Sequence, residues 1–473
     1  MDILLIDPPY ASLRGMPADV GYNVGLTSLA GFLRQNGVDS KVLMGDLLMG
    51  LPPVDGWMTC SLKEYAERQP LYRAILHDEH HVIWQRIAAC LRQYKPAAVG
   101  ISYLTPLKCV VEKVAALVKE TDPAITVVVG GAHPTFCSDD VMENHNIDFA
   151  VRGEGEVPLL ALAMEMRKDE PKWEKVPGIS YRDGDGGVHH SPPAPMVEDL
   201  DSLPFAARDL VIDCDYDKYR AHCLVTARGC PYNCSFCADK GIWRGKVRRR
   251  SVENVMDELD LLARTYRAEV VDILDGTFTY DRKYVERFCR EITRRNLKVA
   301  WGCTARYDNL DPDLLRLMKQ ANCGGLFFGL ESGSDRILKA VDKKTNVEQI
   351  IAVADMVRDA GITCITSVVV GLPGESKTDT EATLRVMERV HTDIFDVNSY
   401  VPLPGSRLHQ LTSEAELKNI DWEKVAYKSL ENHFSKDISH ADLRKYLLEA
   451  YQIADDVRKR TVLRLQSAAA VSN

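Results

Sequence analysis

The chain lacks the features that would direct it to nucleic acid or to a membrane. Its formal net charge is −9, so it has no excess of positive charge with which to attract DNA or RNA. No apolar run reaches the roughly 20 residues that a bilayer-spanning helix needs. The first residues, Met1–Asp7, lack the basic start and the small-residue cleavage site of a signal peptide. We therefore expect a cytoplasmic globular protein with no nucleic-acid or membrane partner.

Clustered cysteines are also scarce, although the chain has 13 cysteines in all. Only Cys230, Cys234 and Cys237 lie close together in the sequence. Isolated cysteines usually behave as small buried hydrophobic residues, and this interpretation applies to Cys60, Cys90, Cys109, Cys137, Cys289 and Cys364. The single cluster indicates metal binding or redox chemistry rather than a disulfide framework.

Short apolar strands alternate with amphipathic helices along most of the chain. In residues 1–167 this alternation predicts a Rossmann-like α/β domain with a parallel sheet. Residues 168–220 are rich in turn-forming residues and predict a linker with room for a small hairpin. From 221 to 410, six strand–helix units predict a partial (β/α)6 barrel, since a complete barrel needs eight. Residues 411–473 are predicted to be helical, and residues 52–82 to be a helical insertion of unassigned role.

The clustered cysteines have the spacing of an iron–sulfur site. The pattern Cys230-x-x-x-Cys234-x-x-Cys237 lets one compact loop wrap a cluster. A four-iron cluster needs four ligands and this loop supplies three, which leaves one iron open to another molecule. A structural zinc site and a group of buried cysteines are the alternative interpretations. Zinc sites usually close with a second ligand pair, and no such pair follows in the loop.

This motif, which directly follows a predicted strand, resembles the signature of radical S-adenosylmethionine (SAM) enzymes. The resemblance implies a [4Fe-4S] cluster on the three cysteines, with SAM on the open iron. Reductive cleavage of SAM then gives a 5′-deoxyadenosyl radical that takes a hydrogen atom from a substrate. The resemblance also implies a small-molecule substrate and an electron-donor protein such as a flavodoxin, a ferredoxin or a dedicated reductase.

The same resemblance assigns residues near the ends of the following strands. The cofactor-binding residues that it implies are Phe236 near the adenine, Asp275 and Thr277 near the methionine part of SAM, Arg306 after the third strand, and Glu331 and Ser332 at the ribose hydroxyls. The family's common Gly-Gly-Glu sequence is replaced here by Asp275-Gly276-Thr277, so the contacts to methionine differ. The basic run at 244–250 is interpreted as a solvated face, although one of its arginines is able to bind a carboxylate instead.

The first domain resembles the radical SAM subclass that carries an N-terminal cobalamin-binding domain. The matching segments are Val99–Thr105, Gly130–Pro134 and Gly153–Glu156. Many members of this subclass are methyltransferases. The Asp-x-His-x-x-Gly motif, which supplies a lower histidine ligand to cobalt in some cobalamin proteins, is absent. Cobalamin binding therefore stays open at the level of sequence, and His133 is interpreted as a turn residue rather than a ligand.

Three functions remain open on the sequence alone. Taken whole, the chain is also similar to radical SAM diol dehydratases of aminoglycoside biosynthesis. This similarity favours 1,2-diol dehydration of an aminoglycoside sugar in antibiotic biosynthesis, a lyase-type reaction with Tyr216 and Glu331 as candidate proton or hydrogen donors. The alternative within the family is cobalamin-dependent C-methylation. The alternative from another class, an iron–sulfur electron carrier or regulatory protein, is disfavoured by the ordered turns that follow the cysteine loop.

Overall fold

The computed structural model describes residues 1–16, 23–49, 61–216 and 220–472. The chain divides into two compact units. The first unit comprises Met1–Pro53, Pro70–Asp215 and Gly241–Arg244, and the second comprises Val54–Gln69, Tyr216–Lys240 and Gly245–Asn473. Residues 52–60 of the predicted insertion, including Cys60, lie outside the described residues. No helix in the described ranges is both long enough and apolar enough to cross a membrane.

The strands and helices follow each other in the alternating order that the sequence predicts. The strands are β1 (Ile3–Asp7), β2 (Ser40–Met44), β3 (Ala98–Ser102), β4 (Thr126–Gly130), β5 (Phe149–Val151), β6 (Ile179–Arg182), β7 (Val188–His190), β8 (Ala221–Leu224), β9 (Ala227–Arg228), β10 (Arg248–Arg249), β11 (Val270–Ile273), β12 (Ala300–Ala305), β13 (Cys323–Glu331), β14 (Thr363–Val370) and β15 (Ile394–Ser399). The α-helices are α1 (Val24–Gln35), α2 (Leu62–Glu67), α3 (Gln69–His77), α4 (Val82–Tyr94), α5 (Lys108–Thr121), α6 (Ala132–Phe136), α7 (Ser138–Met142), α8 (Glu156–Met166), α9 (Asp239–Ile242), α10 (Val252–Thr265), α11 (Arg282–Arg295), α12 (Pro312–Gln320), α13 (Asp335–Ala340), α14 (Val347–Asp359), α15 (Lys377–Arg389), α16 (Arg407–Leu411), α17 (Glu414–Lys418) and α18 (His440–Ser472).

The first unit is built on one seven-stranded sheet of order β2-β1-β3-β4-β5-β6-β7. Its first five strands are parallel, which confirms the predicted Rossmann-like arrangement. β6 and β7 form an antiparallel hairpin that extends this sheet. The segment predicted as a linker therefore contributes two strands to the first unit.

The second unit is built on a six-stranded parallel sheet of order β15-β14-β13-β12-β11-β8. The partial barrel that the sequence predicts is confirmed, because consecutive βα units place neighbouring strands side by side. β8 and β15 lie at the two edges of this sheet. Aromatic side chains pack edge to face in its core, with ring centroids of Phe288 and Trp301 5.0 Å apart.

Side-chain caps fix where each strand-to-helix loop of the second unit ends. Ser251, Asp281, Asp311, Asn346 and Ser376 each accept a backbone N–H from the first turn of the helix that follows. A cap of this kind stabilises a helix by about 1 kcal/mol. The loops at the carboxyl edge of the sheet therefore run from a fixed strand end to a fixed helix start, and this edge is where ligands bind in such sheets.

Candidate active site

A cavity of about 480 Å³ lies on the inner face and at the carboxyl edge of the second sheet. This volume falls in the range of about 300–1,000 Å³ that is typical of small-molecule sites. Residues of the cysteine loop and of five strand ends line it: Cys230, Tyr232, Cys234, Phe236, Cys237, Gly276, Thr277, Thr304, Ala305, Arg306, Phe327, Gly329, Glu331, Lys343, Ser367, Val369, Asp396, Asn398, Ser399, Tyr400, Val401, Leu403, Tyr427 and Lys428. The cavity thus brings the cysteine cluster together with polar groups from distant parts of the chain.

Two backbone hydrogen bonds of Ser235 hold the cysteine loop in place. Ser235 N–H donates to the Val341 carbonyl over 2.9 Å, and Leu408 N–H donates to the Ser235 carbonyl over 2.8 Å. The buried Ser235 hydroxyl has no hydrogen-bond partner among the described residues. Since Ser235 directly follows Cys234, this hydroxyl is a polar group that a cluster bound in the loop can satisfy.

The donor set of the loop fits an iron–sulfur cluster. Cys230, Cys234 and Cys237 all line the same cavity, and thiolates are the ligands that hold such clusters. Across the described residues, no three His, Cys, Asp or Glu side chains are arranged to hold a single metal ion. Burial raises the pKa of the Cys234 thiol above its usual value, so bound iron has to offset this cost because the ligand is the thiolate.

Gly229 makes the tight turn that delivers Cys230 to the cavity. Its φ of +98° lies in a region that glycine adopts without a steric penalty. A Cβ at this position would overlap the backbone carbonyl oxygen of Lys246, which lies two residues before β10. The start of the cluster loop therefore requires glycine here.

We expect Gly229→Ala to lose bound iron, because both the backbone collision and the positive φ oppose the native turn. Strain of this kind costs about 1–3 kcal/mol or more. The measurement is iron content per chain after anaerobic reconstitution. Gly361→Ala is the matched control, since Gly361 also has a positive φ of +69° but its nearest neighbour atom lies 3.8 Å from the added Cβ. Equal iron contents in the two variants would contradict the role given to Gly229.

Phe236, Thr277, Arg306 and Glu331 are brought together at the cavity, as the sequence predicts for cofactor-binding residues. Thr277 Oγ1 lies 3.4 Å from Cys230 Sγ, so the loop after β11 touches the cluster loop. Phe236 packs against a small apolar cluster that includes Tyr400. Their contacts to SAM stay predictions.

Glu331 forms a buried ion pair with Lys343, whose Nζ donates to Glu331 Oε1 over 2.7 Å. Glu331 has a φ of +66°, and the pairing of β13 with β14 shifts register between Gly329 and Glu331. A Cβ on Gly329 would overlap the Glu331 carboxylate, which explains why glycine stands two positions before Glu331. The strand end is therefore shaped to turn both charged groups toward the cavity, where a carboxylate and an ammonium can bind a polar ligand.

Asp275 lies beside the cavity and binds the residues that lead into the cysteine loop. Its carboxylate accepts hydrogen bonds from Thr226 N over 2.7 Å, from Ala227 N over 3.0 Å and from Thr226 Oγ1. Burial raises the pKa of Asp275, while these hydrogen bonds oppose the rise. The contact to the methionine part of SAM that the sequence predicts for Asp275 finds no support in these bonds, since the carboxylate is occupied.

Ser332 and Tyr216 also lie outside the set of described residues that line the cavity. Ser332 is fully buried, and its Oγ lies 3.3 Å from Thr383 Oγ1 on α15. Tyr216 stacks on His222, with ring centroids 6.1 Å apart, and meets Tyr266 edge to face. Their placement supports packing roles, and the predicted ribose contact of Ser332 and catalytic role of Tyr216 stay predictions without geometric support.

The basic run at 244–250 is solvated only at its start, where Arg244 and Lys246 are exposed, and its later arginines differ from the solvated face that the sequence favours. Arg250 pairs with the buried Glu258 over 2.6 Å. The Arg249 guanidinium lies 4.3 Å from the ring centroid of Tyr280 and 4.2 Å from that of Tyr284. These two arginines therefore stabilise the loop that returns from the cysteines to α10.

A cluster of polar side chains at the β15 side of the cavity was not predicted from the sequence. Lys428 Nζ lies 2.7 Å from Asp396 Oδ1, and Asn398 Nδ2 donates to Asp396 Oδ2 over 2.8 Å. The buried hydroxyls of Ser399 and Tyr400 have no hydrogen-bond partner among the described residues. No local motif marks these residues, because they meet only when β15 folds beside the segment that carries Lys428.

In the first unit, His133 is not available as a cobalt ligand. Its Nδ1 lies 3.1 Å from Thr105 Oγ1 and its Nε2 lies 3.2 Å from Asp140 Oδ2. The ring also stacks on Tyr103 with centroids 4.5 Å apart. Burial lowers the pKa of His133, although Asp140 opposes this effect. The interpretation that His133 is not a ligand is therefore supported, although the residue lies in helix α6 and not in a turn.

The carboxyl edge of the first sheet nevertheless has room for a ligand. Leu104, just beyond β3, is 44% exposed although it is apolar. Gly153, just beyond β5, faces open space with no atom within 4 Å of an added Cβ. An exposed apolar side chain and an open glycine at the ligand-binding edge fit a large cofactor that rests on the sheet without a histidine ligand.

Comparison with known families agrees with both halves of the fold. Residues 224–387 match the radical SAM superfamily, and residues 61–163 match the B12 binding domain. The chain is therefore a radical SAM protein that carries a B12-binding domain ahead of its radical SAM domain. The cofactors of the radical SAM domain are a [4Fe-4S] cluster and SAM.

Similar proteins include two methyltransferases and a cyclase. An uncharacterised methyltransferase of Pyrococcus horikoshii is 29% identical over 377 residues, 77% of this chain and 81% of that protein. The anaerobic magnesium-protoporphyrin IX monomethyl ester cyclase of Rubrivivax gelatinosus is 32% identical over 345 residues, 70% of this chain and 61% of the cyclase. The cytidylyl-2-hydroxyethylphosphonate methyltransferase of Streptomyces wedmorensis is 26% identical over 449 residues, 86% of this chain and 80% of that protein.

Among solved structures, the fold is similar to that of the radical SAM methyltransferase TsrM from Kitasatospora setae with cobalamin and a [4Fe-4S] cluster bound. The TM-score is 0.64 at 18% identity, and the match covers 86% of this chain and 74% of that one. At this identity the likeness supports the fold alone.

Proposed function

We propose that this protein is a cobalamin-dependent radical SAM methyltransferase that acts on a polar small molecule. The observation that carries the proposal is that relatives with methyltransferase names align over most of their own length and most of this chain. The B12-binding match in the first unit supports the same conclusion. The sequence alone favours dehydration of an aminoglycoside sugar, but the relatives reported above support methyl transfer instead.

In this proposal the chain's own residues divide the work around the cavity. When bound, the cluster and SAM supply a radical that takes a hydrogen atom from the substrate, and cobalamin supplies the methyl group. Cys230, Cys234 and Cys237 hold the cluster, and Glu331 with Lys343 presents paired charges to a polar ligand. The protein's part is to orient the reactants and to exclude side reactions.

The β15 side of the cavity supports a polar substrate. Asp396 and Lys428 offset each other's charge inside the cavity, so an ionic substrate group would leave one charge uncompensated. A neutral group that both donates and accepts hydrogen bonds, such as a hydroxyl or an amide, fits the Asp396–Asn398–Lys428 cluster and the buried Tyr400 hydroxyl. Burial raises the pKa of Tyr400, so its hydroxyl is a donor at neutral pH.

The iron–sulfur cluster also needs a reductant, and we propose a flavodoxin, a ferredoxin or a dedicated reductase.

The first test is retention of cobalamin. After anaerobic reconstitution with iron, sulfide and hydroxocobalamin, we expect the desalted protein to keep stoichiometric cobalamin beside an intact iron–sulfur absorption spectrum. Label from methyl-labelled SAM is then expected in the product of candidate polar substrates. An intact cluster spectrum without retained cobalamin would contradict the proposal and return attention to dehydration.

A matched pair of variants tests where cobalamin binds. Leu104→Asp places a charge at the carboxyl edge of the first sheet and is expected to lower cobalamin retention by about tenfold or more, on the scale of a lost outer contact to a bound metal cofactor. Met164→Asp is the control, because Met164 on α8 is 37% exposed against 44% for Leu104. Equal retention by the two variants would show that this edge does not bind cobalamin.

A further inference from the structure

Arg306 contacts the cysteine loop at two points. It follows β12, is 6% exposed, and its Nη1 donates to Cys234 Sγ over 3.9 Å. Its Cζ also lies 3.8 Å from the ring centroid of Tyr232, two residues before Cys234. One buried cation thus touches both a cluster ligand and the aromatic side chain beside that ligand.

A short turn fixes the direction of the guanidinium. Arg306 Nε donates to Asp308 Oδ1 over 2.8 Å, and Nη2 donates to Asp308 Oδ2 over 2.9 Å, a bidentate pair. Nη2 also donates to the Lys343 carbonyl. With Nε and Nη2 bound in this way, Nη1 is the nitrogen presented to Cys234.

The same turn holds the aromatic ring from its other end. The Tyr232 hydroxyl donates to Asn309 Oδ1 over 2.9 Å. Residues Arg306–Asn309 therefore hold the middle of the cysteine loop through a stacked cation, a thiol hydrogen bond and a phenol hydrogen bond. This geometry goes beyond the sequence expectation of a cofactor contact, because it places Arg306 on the cluster ligand itself.

A cation that donates to a cluster thiolate stabilises the more electron-rich, reduced cluster. Hydrogen bonds to the sulfurs and nearby charge are among the factors that set iron–sulfur reduction potentials. The guanidinium keeps its proton, and the electron comes from the external reductant that the radical SAM domain requires. We propose that Arg306, oriented by Asp308, is a positioning residue that raises the reduction potential of the cluster through Cys234. This proposal rests on the cluster and is independent of methyl transfer.

The experiment compares Arg306→Gln, Arg306→Lys and Asp308→Glu in the reconstituted full chain. For each variant we would measure iron content and the midpoint potential of the cluster by electron paramagnetic resonance during a redox titration. Arg316→Gln is the control, because it removes a cation from an ion pair whose side chains are 65% and 78% exposed. Formation of 5′-deoxyadenosine is a secondary readout.

We expect Arg306→Gln to keep its iron and to shift the midpoint potential to more negative values than Arg316→Gln. Its rate of 5′-deoxyadenosine formation should fall by about 10-fold to 100-fold, the scale found for groups that orient metal ligands. Arg306→Lys keeps the positive charge but loses the planar guanidinium that binds Asp308 through two nitrogens. Its midpoint potential should therefore lie between those of Arg306→Gln and the wild type. Asp308→Glu keeps both charges but moves the carboxylate by one methylene, so the guanidinium loses its direction and the potential should shift in the same direction by a smaller amount.

A midpoint potential of Arg306→Gln equal to that of Arg316→Gln, at full iron content, would overturn the proposal. If Arg306→Gln fails to take up iron, Asp308→Glu decides the matter, because it leaves both charges in place and changes only the direction of the guanidinium. A negative shift in Asp308→Glu supports the proposal, and an unchanged potential overturns it.

Discussion

Replacing Cys234 by alanine is expected to abolish iron binding and the formation of 5′-deoxyadenosine. Cys234 is the central ligand of the loop and lies next to Ser235, whose backbone is bonded on both sides. The loop offers three thiols in the cavity, so the variant leaves two ligands for a cluster that needs at least three from the protein. Without the cluster, SAM has no source of the electron that cleaves it.

The measurement is iron and sulfide content after anaerobic reconstitution, followed by chromatographic detection of 5′-deoxyadenosine with dithionite as the reductant. Cys364→Ser is the matched control, because Cys364 is buried in β14 and its Sγ lies 3.7 Å from Thr366 Oγ1, where a hydroxyl is tolerated. The control should keep its cluster. Full activity of Cys234→Ala would refute the assignment of the cluster to this loop.

The fold was predictable because each strand and helix follows from residues that are close together in the sequence. Alternating strand and helix periods read along the sequence predict the five parallel strands of the first sheet and the six of the second. The cluster loop was predictable for the same reason, since its three ligands lie within eight residues. The hairpin β6–β7 was less evident, because its three- and four-residue strands carry little periodicity.

The rest of the site was not predictable because it forms between segments that are distant in sequence. Lys343 reaches Glu331 only because β13 shifts register and Gly329 leaves space for the carboxylate. Asp396 and Lys428 are 32 positions apart in the sequence and carry no motif. Whether a residue at a strand end binds a ligand or supports a neighbouring loop also depends on tertiary packing. The identity of the residue alone does not show which role it has.

Asp275 shows this difference most clearly, and its replacement is the second large effect that we expect. Asp275→Ala would leave three buried donors of Thr226 and Ala227 without their acceptor. Each donor left without a partner costs about 1–3 kcal/mol. Because these donors lie two and three residues before Gly229, the loss falls on the geometry of the cluster loop, and we expect iron content to drop together with the melting temperature.

Two roles of Asp275 predict different results, so the experiment separates them. If the carboxylate supports the loop, Thr226→Val, which removes one of its three hydrogen bonds, should produce a smaller loss of iron in the same direction. The double variant Thr226→Val/Asp275→Ala should then lose less than the sum of the two single variants, because both act on the same contact. If Asp275 instead binds the methionine part of SAM, Asp275→Ala should weaken SAM binding at full iron content and Thr226→Val should leave it unchanged. The three hydrogen bonds favour the first result, and SAM affinity measured by calorimetry beside iron content tells the two apart.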